Sequence, residues 1–210
     1  MFALVEDGSI TKYFSGNRGF TLGSNQYSKQ VFTLWSEAER NAIGIYTVEM
    51  DTSKRKDEQW YVNTDVSYAF AGGKVTGSYG DATAKAHADS TYTNQDKTDG
   101  IIPDGKDVGD VKTKGLKTIK IREVKKQAAG ELQNTDWYIV RKADAGTAVP
   151  SAITNHRAAV RTKCAEMETA ITNASDTAAL ETLYTYVNSA DEGDPVVMER
   201  RLGELPRLES

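Results

Sequence analysis

The sequence predicts an α+β chain, and three observations carry that reading. Within the first 80 residues, apolar side chains recur at period two, as at Val66, Tyr68 and Phe70, the pattern of a strand with one buried face. From Leu116 onward the apolar spacing becomes three and four, as at Ile121, Val124, Ala128 and Leu132, the pattern of an amphipathic helix. Between them lies a stretch rich in Asp, Gly, Thr and Lys, with almost no apolar residue to anchor it.

Taken in order, Phe2-Ala3-Leu4-Val5 and Ile10-Thr11-Lys12-Tyr13-Phe14 flank Glu6-Asp7-Gly8-Ser9. Asp-Gly supplies the positive φ that a tight hairpin wants. Ser36-Glu37-Ala38-Glu39 places a capping serine before acidic residues, so a short helix is expected within residues 33–42, with Gly44 available to end it. Ile43 to Val48 and Gln59 to Val62 are strand candidates, and Val66 to Tyr79, broken by Gly72-Gly73, reads as a second hairpin. Residues 80–115 hold Asp99-Gly100, Pro103-Asp104-Gly105 and Val108-Gly109-Asp110, turn signals that predict a linker or extended loop.

The first long helix carries Lys117, Lys120, Arg122, Lys125 and Lys126 among its apolar positions, which predicts a basic outer face. Asn134-Thr135-Asp136 interrupts it and caps a second helical piece with Trp137, Tyr138 and Val140, ending near Gly146. Pro150-Ser151 opens the clearest helix, whose stripe Ile153, Val160, Cys164, Met167 and Ile171 is broken by Arg157 at a position where an apolar residue is expected. Ser175-Asp176-Thr177 caps a shorter helix through Leu180, Leu183, Tyr184 and Val187. Long helices joined by short turns pack antiparallel, so the two stripes are expected to bury each other. The expected organisation is a β-rich head over residues 1–80, a flexible Asp/Gly-rich loop or linker over 81–115, a helical hairpin module over 116–190 and an extended C-terminal tail over 191–210.

Composition narrows the classes of function. At 210 residues and 39% hydrophobic the chain can build a sizeable core, and its net charge of −4 argues against strong nonspecific nucleic-acid binding. No apolar run approaches the ~20 residues of a membrane-spanning helix, and the start lacks the basic and apolar regions of a secretory signal, so a soluble intracellular chain with no membrane partner is expected. A lone cysteine, Cys164, excludes a disulfide framework within the chain, and two histidines, His87 and His156, leave little for zinc or acid–base chemistry.

The chemistry-bearing residue types form no catalytic or ligand-binding motif. Gly77-Ser78-Tyr79-Gly80-Asp81 is glycine-rich but lacks the spacing of a nucleotide-binding loop. Asp99, Asp104, Asp107 and Asp110 lack the register of a calcium loop and are interleaved with lysines, so a solvated turn is expected. Cys164 lies on an apolar stripe and reads as a core side chain rather than a nucleophile, and His156 as a helix residue rather than a ligand. Glu131 and Glu166 sit on the two predicted arms, yet nothing in their spacing makes them a hydrolase pair. Arg157 and Arg161, one turn apart, read as an ion pair toward Glu131, Asp136 or Asp144, with contact to another chain as the alternative. Leu202, Leu205 and Leu208 recur around Gly203 and Pro206 in a tail that either docks on its own domain or inserts into a neighbour.

One resemblance adds to this. The stretch Thr135-Asp136-Trp137-Tyr138-Ile139-Val140-Arg141-Lys142-Ala143-Asp144-Ala145-Gly146, then Val149-Pro150 and Arg157-Ala158-Ala159-Val160-Arg161, resembles the C-terminal module of bacteriophage tail-fibre assembly-like and tail-fibre-associated proteins. The closing Leu202-Gly203-Glu204-Leu205-Pro206 and the opening ten residues are similar to the same proteins, so the likeness covers about a third of the chain. It implies a virion structural protein of the tail or baseplate region, made in the host cytoplasm and contacting other tail or fibre proteins. The alternative it implies is a tail-fibre assembly chaperone absent from the mature particle. It brings no enzymatic activity, cofactor or metal; a homo-oligomer is left open. The residues expected to meet a partner are Trp137, Arg157, Arg161, Leu202, Leu205 and Leu208.

Overall fold

A computed structural model describes residues 1–190 and 194–208. The fold is α+β and divides into two compact units, Met1–Thr83 and Ala84–Ser210.

In the first unit, β1 (Phe2–Glu6) and β2 (Ser9–Phe14) form the expected hairpin. Its two-residue turn has Asp7 at φ 50° and Gly8 at φ 77°, the geometry whose twist matches that of paired strands. A small hairpin of β3 (Phe20–Leu22) and β4 (Asn25–Tyr27) follows, then a 3-10 turn over Lys29–Phe32. Next comes α1 (Glu37–Ala42), closed by a reciprocal capping box in which Glu39 N–H donates to Ser36 Oγ and Ser36 N–H to Glu39 Oε2. After α1 come β5 (Ile45–Asp51), the short β6 (Tyr61–Val62), and the hairpin β7 (Val66–Ala71) with β8 (Lys74–Tyr79). β9 (Thr83–Ala84) spans the division between the units.

The five main strands form one sheet in the order β2-β1-β5-β8-β7, antiparallel except for β5 beside β8. The sheet curls, bringing Tyr13 of one edge strand within 5.1 Å (ring centroids) of Tyr68 on the other. Ala3, Leu4, Ile45 and Val75 are buried in it. Phe2, Phe14, Phe20 and Phe32 pack with neighbouring centroids 4.8–5.7 Å apart, so the β3–β4 hairpin and the 3-10 turn are held by aromatic contact.

The second unit opens with a correction. Within residues 81–115, expected as a flexible loop or linker, the stretch from Ala84 onward carries secondary structure of its own. β10 (Ser90–Thr91) pairs with β11 (Val111–Thr113), and α2 (Asn94–Thr98) lies between them. What fixes them is polar. Asp96 accepts from Thr93 N–H and hydroxyl to close a capping box, and from Lys112 Nζ across the hairpin, while remaining 8% exposed. Segment 85–89 also serves α3 (Leu116–Gln133), which has no side-chain N-cap of its own. Ala86 and His87 carbonyls accept from Leu116 and Lys117 N–H, and Asp89 Oδ1 accepts from Gly115 N–H. These bonds satisfy amides that a helix start leaves orphaned. The approach is so close that a Cβ on Gly115 would lie 2.3 Å from the Ala88 carbonyl.

α4 (Asp136–Ala145) ends at Gly146 in the left-handed region, and α5 (Ser151–Asn173) begins after Pro150. α3 and α5 run antiparallel: Lys125 pairs with Glu168 at 3.0 Å, and further along Arg157 reaches Leu132. The α5 stripe Ile153, Val160, Cys164, Met167 and Ile171 is buried as expected, and Leu116, Val124 and Ala128 are buried on α3. Lys120 departs from the expected basic outer face. It is buried, pairs with Glu123 at 2.8 Å and lies 5.2 Å from the Tyr184 ring.

α6 (Thr177–Leu183) is capped by Asp176, which accepts from Ala179 N–H. It stops short of Val187, because β12 (Tyr186–Asn188) pairs antiparallel with β13 (Met198–Arg200). The tail is therefore not extended throughout: it folds back, with Leu202 N–H donating to the Leu183 carbonyl at 2.7 Å. Residues 191–193 and 209–210 of the expected tail lie outside the described residues.

Two outcomes check these contacts. Gly115→Ala should lower stability by about 2 kcal/mol or more, the order of an overpacked site, whereas Gly130→Ala, where a Cβ meets nothing within 4 Å, should raise it by ~0.5–1 kcal/mol; urea unfolding of both variants reads the contrast. Asp96 titrates at about 2, below its ordinary 3.8, chiefly because Lys112 donates to it, with Thr93 adding. A depressed carboxyl pKa stabilises the fold in full above about pH 4, and that contribution fades as pH falls toward 2. Thr93 amide protection should follow this window, and Asp96→Asn should lack it.

Candidate interaction surface

Three helices meet where α3 ends, and Arg157 organises the junction. Its side chain enters from α5 at a core register, 7% exposed. Nη1 donates to the Leu132 carbonyl at 2.8 Å and to Thr135 Oγ1 at 2.7 Å, and pairs with Asp136 Oδ1 at 2.8 Å. Thr135 is itself buried and donates to the Leu132 carbonyl. The guanidinium thus satisfies the frayed end of α3 and holds the first residue of α4.

From that anchor α4 projects with no buried side chain. Tyr138 and Arg141 form its less exposed side, and the Arg141 guanidinium lies 4.7 Å from the Trp137 ring centroid and 5.6 Å from that of Tyr138. The two ring centroids are 3.8 Å apart, so Trp137 touches both Tyr138 and Arg141 while 50% exposed. Ile139 is 42% and Val140 65% exposed, and Ala143 is exposed one turn on.

The structure separates the six residues expected to contact a partner. Trp137 and Leu208 are exposed, and Arg161 is exposed with Nη1 donating to the Arg157 carbonyl at 3.4 Å. Leu205 is half-buried. Arg157 and Leu202 leave that set, each along the other reading the sequence offered: Arg157 makes the ion pair toward Asp136 at the α3–α4 junction, and Leu202, 4% exposed, docks in its own unit's core. Ile139 and Val140 belong with Trp137 and were missed, because helical periodicity locates an apolar side but not whether anything covers it. A second exposed apolar group, Tyr186, Val196 and Met198, lies on or beside the β12–β13 hairpin.

The remaining candidates have structural surroundings. Gly77 sits in β8 where a Cβ would lie 2.7 Å from the Tyr68 ring and 2.8 Å from Met50 Sδ, so close packing explains it. Asp110 accepts from Asp107 N–H in a turn. Among the described residues no cluster of three or more His, Cys, Asp or Glu could hold a metal ion. Cys164 donates to Glu168 Oε1 at 3.4 Å, and burial, then Glu168, pushes the thiol pKa up. His156 is buried on α5, and Glu166 pairs with Lys163 at 3.4 Å. No helix among the described residues is long and apolar enough to cross a membrane. Comparison with protein-family models, curated proteins and solved structures gives no match.

Arg157→Met keeps the packed stem but removes the donors, leaving the buried Thr135 oxygen without one. It should cost about 2–3 kcal/mol. Asp136→Asn, at a half-exposed partner, should cost less than ~1 kcal/mol. Urea midpoints of the two variants give the comparison, and equal losses would place the binding energy in the ion pair instead.

Proposed function

We propose that this chain is a structural protein of the bacteriophage tail or baseplate region, acting through protein–protein contacts and by no catalytic step. The observation that carries the contact role is α4, a ten-residue helix that buries none of its side chains and presents Trp137, Ile139 and Val140 outward. Trp, Tyr and Arg are the residue types that dominate interface energetics, and a Trp already in contact with Tyr138 and Arg141 loses little freedom on binding. The phage setting rests on the resemblance of residues 135–161, 202–206 and 1–10 to tail-fibre-associated proteins. The partners are then other tail or fibre proteins.

Quantitative mass spectrometry of gradient-purified particles tests this. A fixed ratio to the major tail proteins is expected. Absence from washed particles with abundance in infected-cell lysate would overturn the structural role and make the chain an assembly chaperone.

A further inference from the structure

The outward side of α4 is apolar along its middle and acidic at both ends. Ile139, Val140 and Ala143 fall on one side of the helix together with Asp136, and Asp144 lies one turn past Val140 on the flank that also carries Trp137. The two carboxylates are eight positions apart, or ~12 Å along the axis at 1.5 Å per residue. Asp144 is exposed and makes no ion pair among the described residues. The Asp136 side chain is 56% exposed even with Arg157 on Oδ1. The nearby cations do not fill this side: Arg141 is stacked on the two rings, and Lys142 lies on the opposite flank.

We propose that this face docks a basic amphipathic helix of a partner protein, whose apolar stripe covers Ile139, Val140 and Trp137 and whose Lys or Arg residues, two turns apart, meet Asp136 and Asp144. The charge pattern selects against a second copy of this chain. Antiparallel pairing of two α4 helices sets Asp136 against Asp144, and parallel pairing sets each Asp against itself, so like charges meet either way. A partner with cations at the matching separation turns both repulsions into attractions. This surface is argued from α4 alone, so the particle measurement can fail while the surface stands, and the reverse.

The test uses the full chain and two fluorescein-labelled synthetic helical peptides. Both carry the same leucine stripe; one has Lys at two flanking positions eight residues apart, the other Glu. In fluorescence anisotropy at low salt the Lys peptide should bind at least about fivefold more tightly, the scale of one exposed charge pair formed rather than opposed, with the gap closing as salt rises. Asp144→Lys, at an exposed position near a helix C-terminus where a cation is favourable, should shrink or reverse the gap. Val140→Ser should weaken both peptides with an unchanged melting temperature. Binding of neither peptide, equal binding of both, or indifference to Asp144→Lys would overturn the proposal. So would a concentration-dependent dimer that Val140→Ser dissolves, since the occupant would then be a second copy.

Discussion

The antiparallel seam between α3 and α5 is the constraint on which the second unit depends. Val160, Met167, Ile171 and Leu180 are almost fully buried, and each buried side chain of this size contributes roughly 1.5–3 kcal/mol relative to exposure. Everything else in the unit is referred to this seam. Segment 85–89 supplies the carbonyls and the carboxylate that close the start of α3, and His87 Nε2 lies 2.9 Å from the Ala174 carbonyl just past the end of α5. At the return of the chain, the Tyr184 ring lies 5.2 Å from Lys120 Nζ and 5.3 Å from the Arg200 guanidinium. Burial, with Glu123 nearby, pushes its hydroxyl pKa up to about 12. One cation comes from α3 and the other from β13, so the tail is tied to the seam through an aromatic ring as well as through Leu202.

The first unit is governed by turns. Two tight connections, Asp7-Gly8 and Gly72-Gly73, fix the registers of the β1–β2 and β7–β8 hairpins, and a slip of one residue in either would expose its buried side chains. β5 then joins the hairpins, antiparallel to β1 and parallel to β8. Gly44 permits that junction. It has φ 78°, accepts at its carbonyl from Val5 N–H, and leaves no room for a Cβ, which would meet the Val5 carbonyl at 2.8 Å.

Legibility in the sequence followed the kind of interaction involved. Asp7-Gly8, the Ser36 cap, Asp176 and the α5 stripe were readable because each depends on neighbours within a few positions. Residues 84–115 were not, because Asp96, Thr93 and Lys112 order them through hydrogen bonds that leave no apolar pattern. Lys120 misled because its aliphatic stem and ammonium occupy a seam position that periodicity assigns to an apolar residue. β12–β13 pairing joins Tyr186 to Arg200 and Asn188 to Met198 across an intervening loop, and a short aromatic run reads equally as the end of α6. Of the contact surface, Trp137 was visible; Ile139 and Val140 were not, since exposure is a property of the packed unit.

The exposure of α4 follows from the break that Arg157 enforces. A continuous helix through residues 132–136 would carry the chain on along the seam. Thr135 instead closes onto the Leu132 carbonyl, and Arg157 locks both atoms, so α4 starts from a fixed point. Its one side for self-contact is occupied by Tyr138 and Arg141, and Ile139, Val140 and Ala143 are left facing water. Turning them inward would require releasing Asp136 from Arg157 and burying the acidic pair, a desolvation that three modest apolar side chains do not offset. An arginine at a core register therefore does two things at once: it completes the hydrogen bonding at the end of α3, and it holds an apolar helix face where a neighbouring chain can reach it.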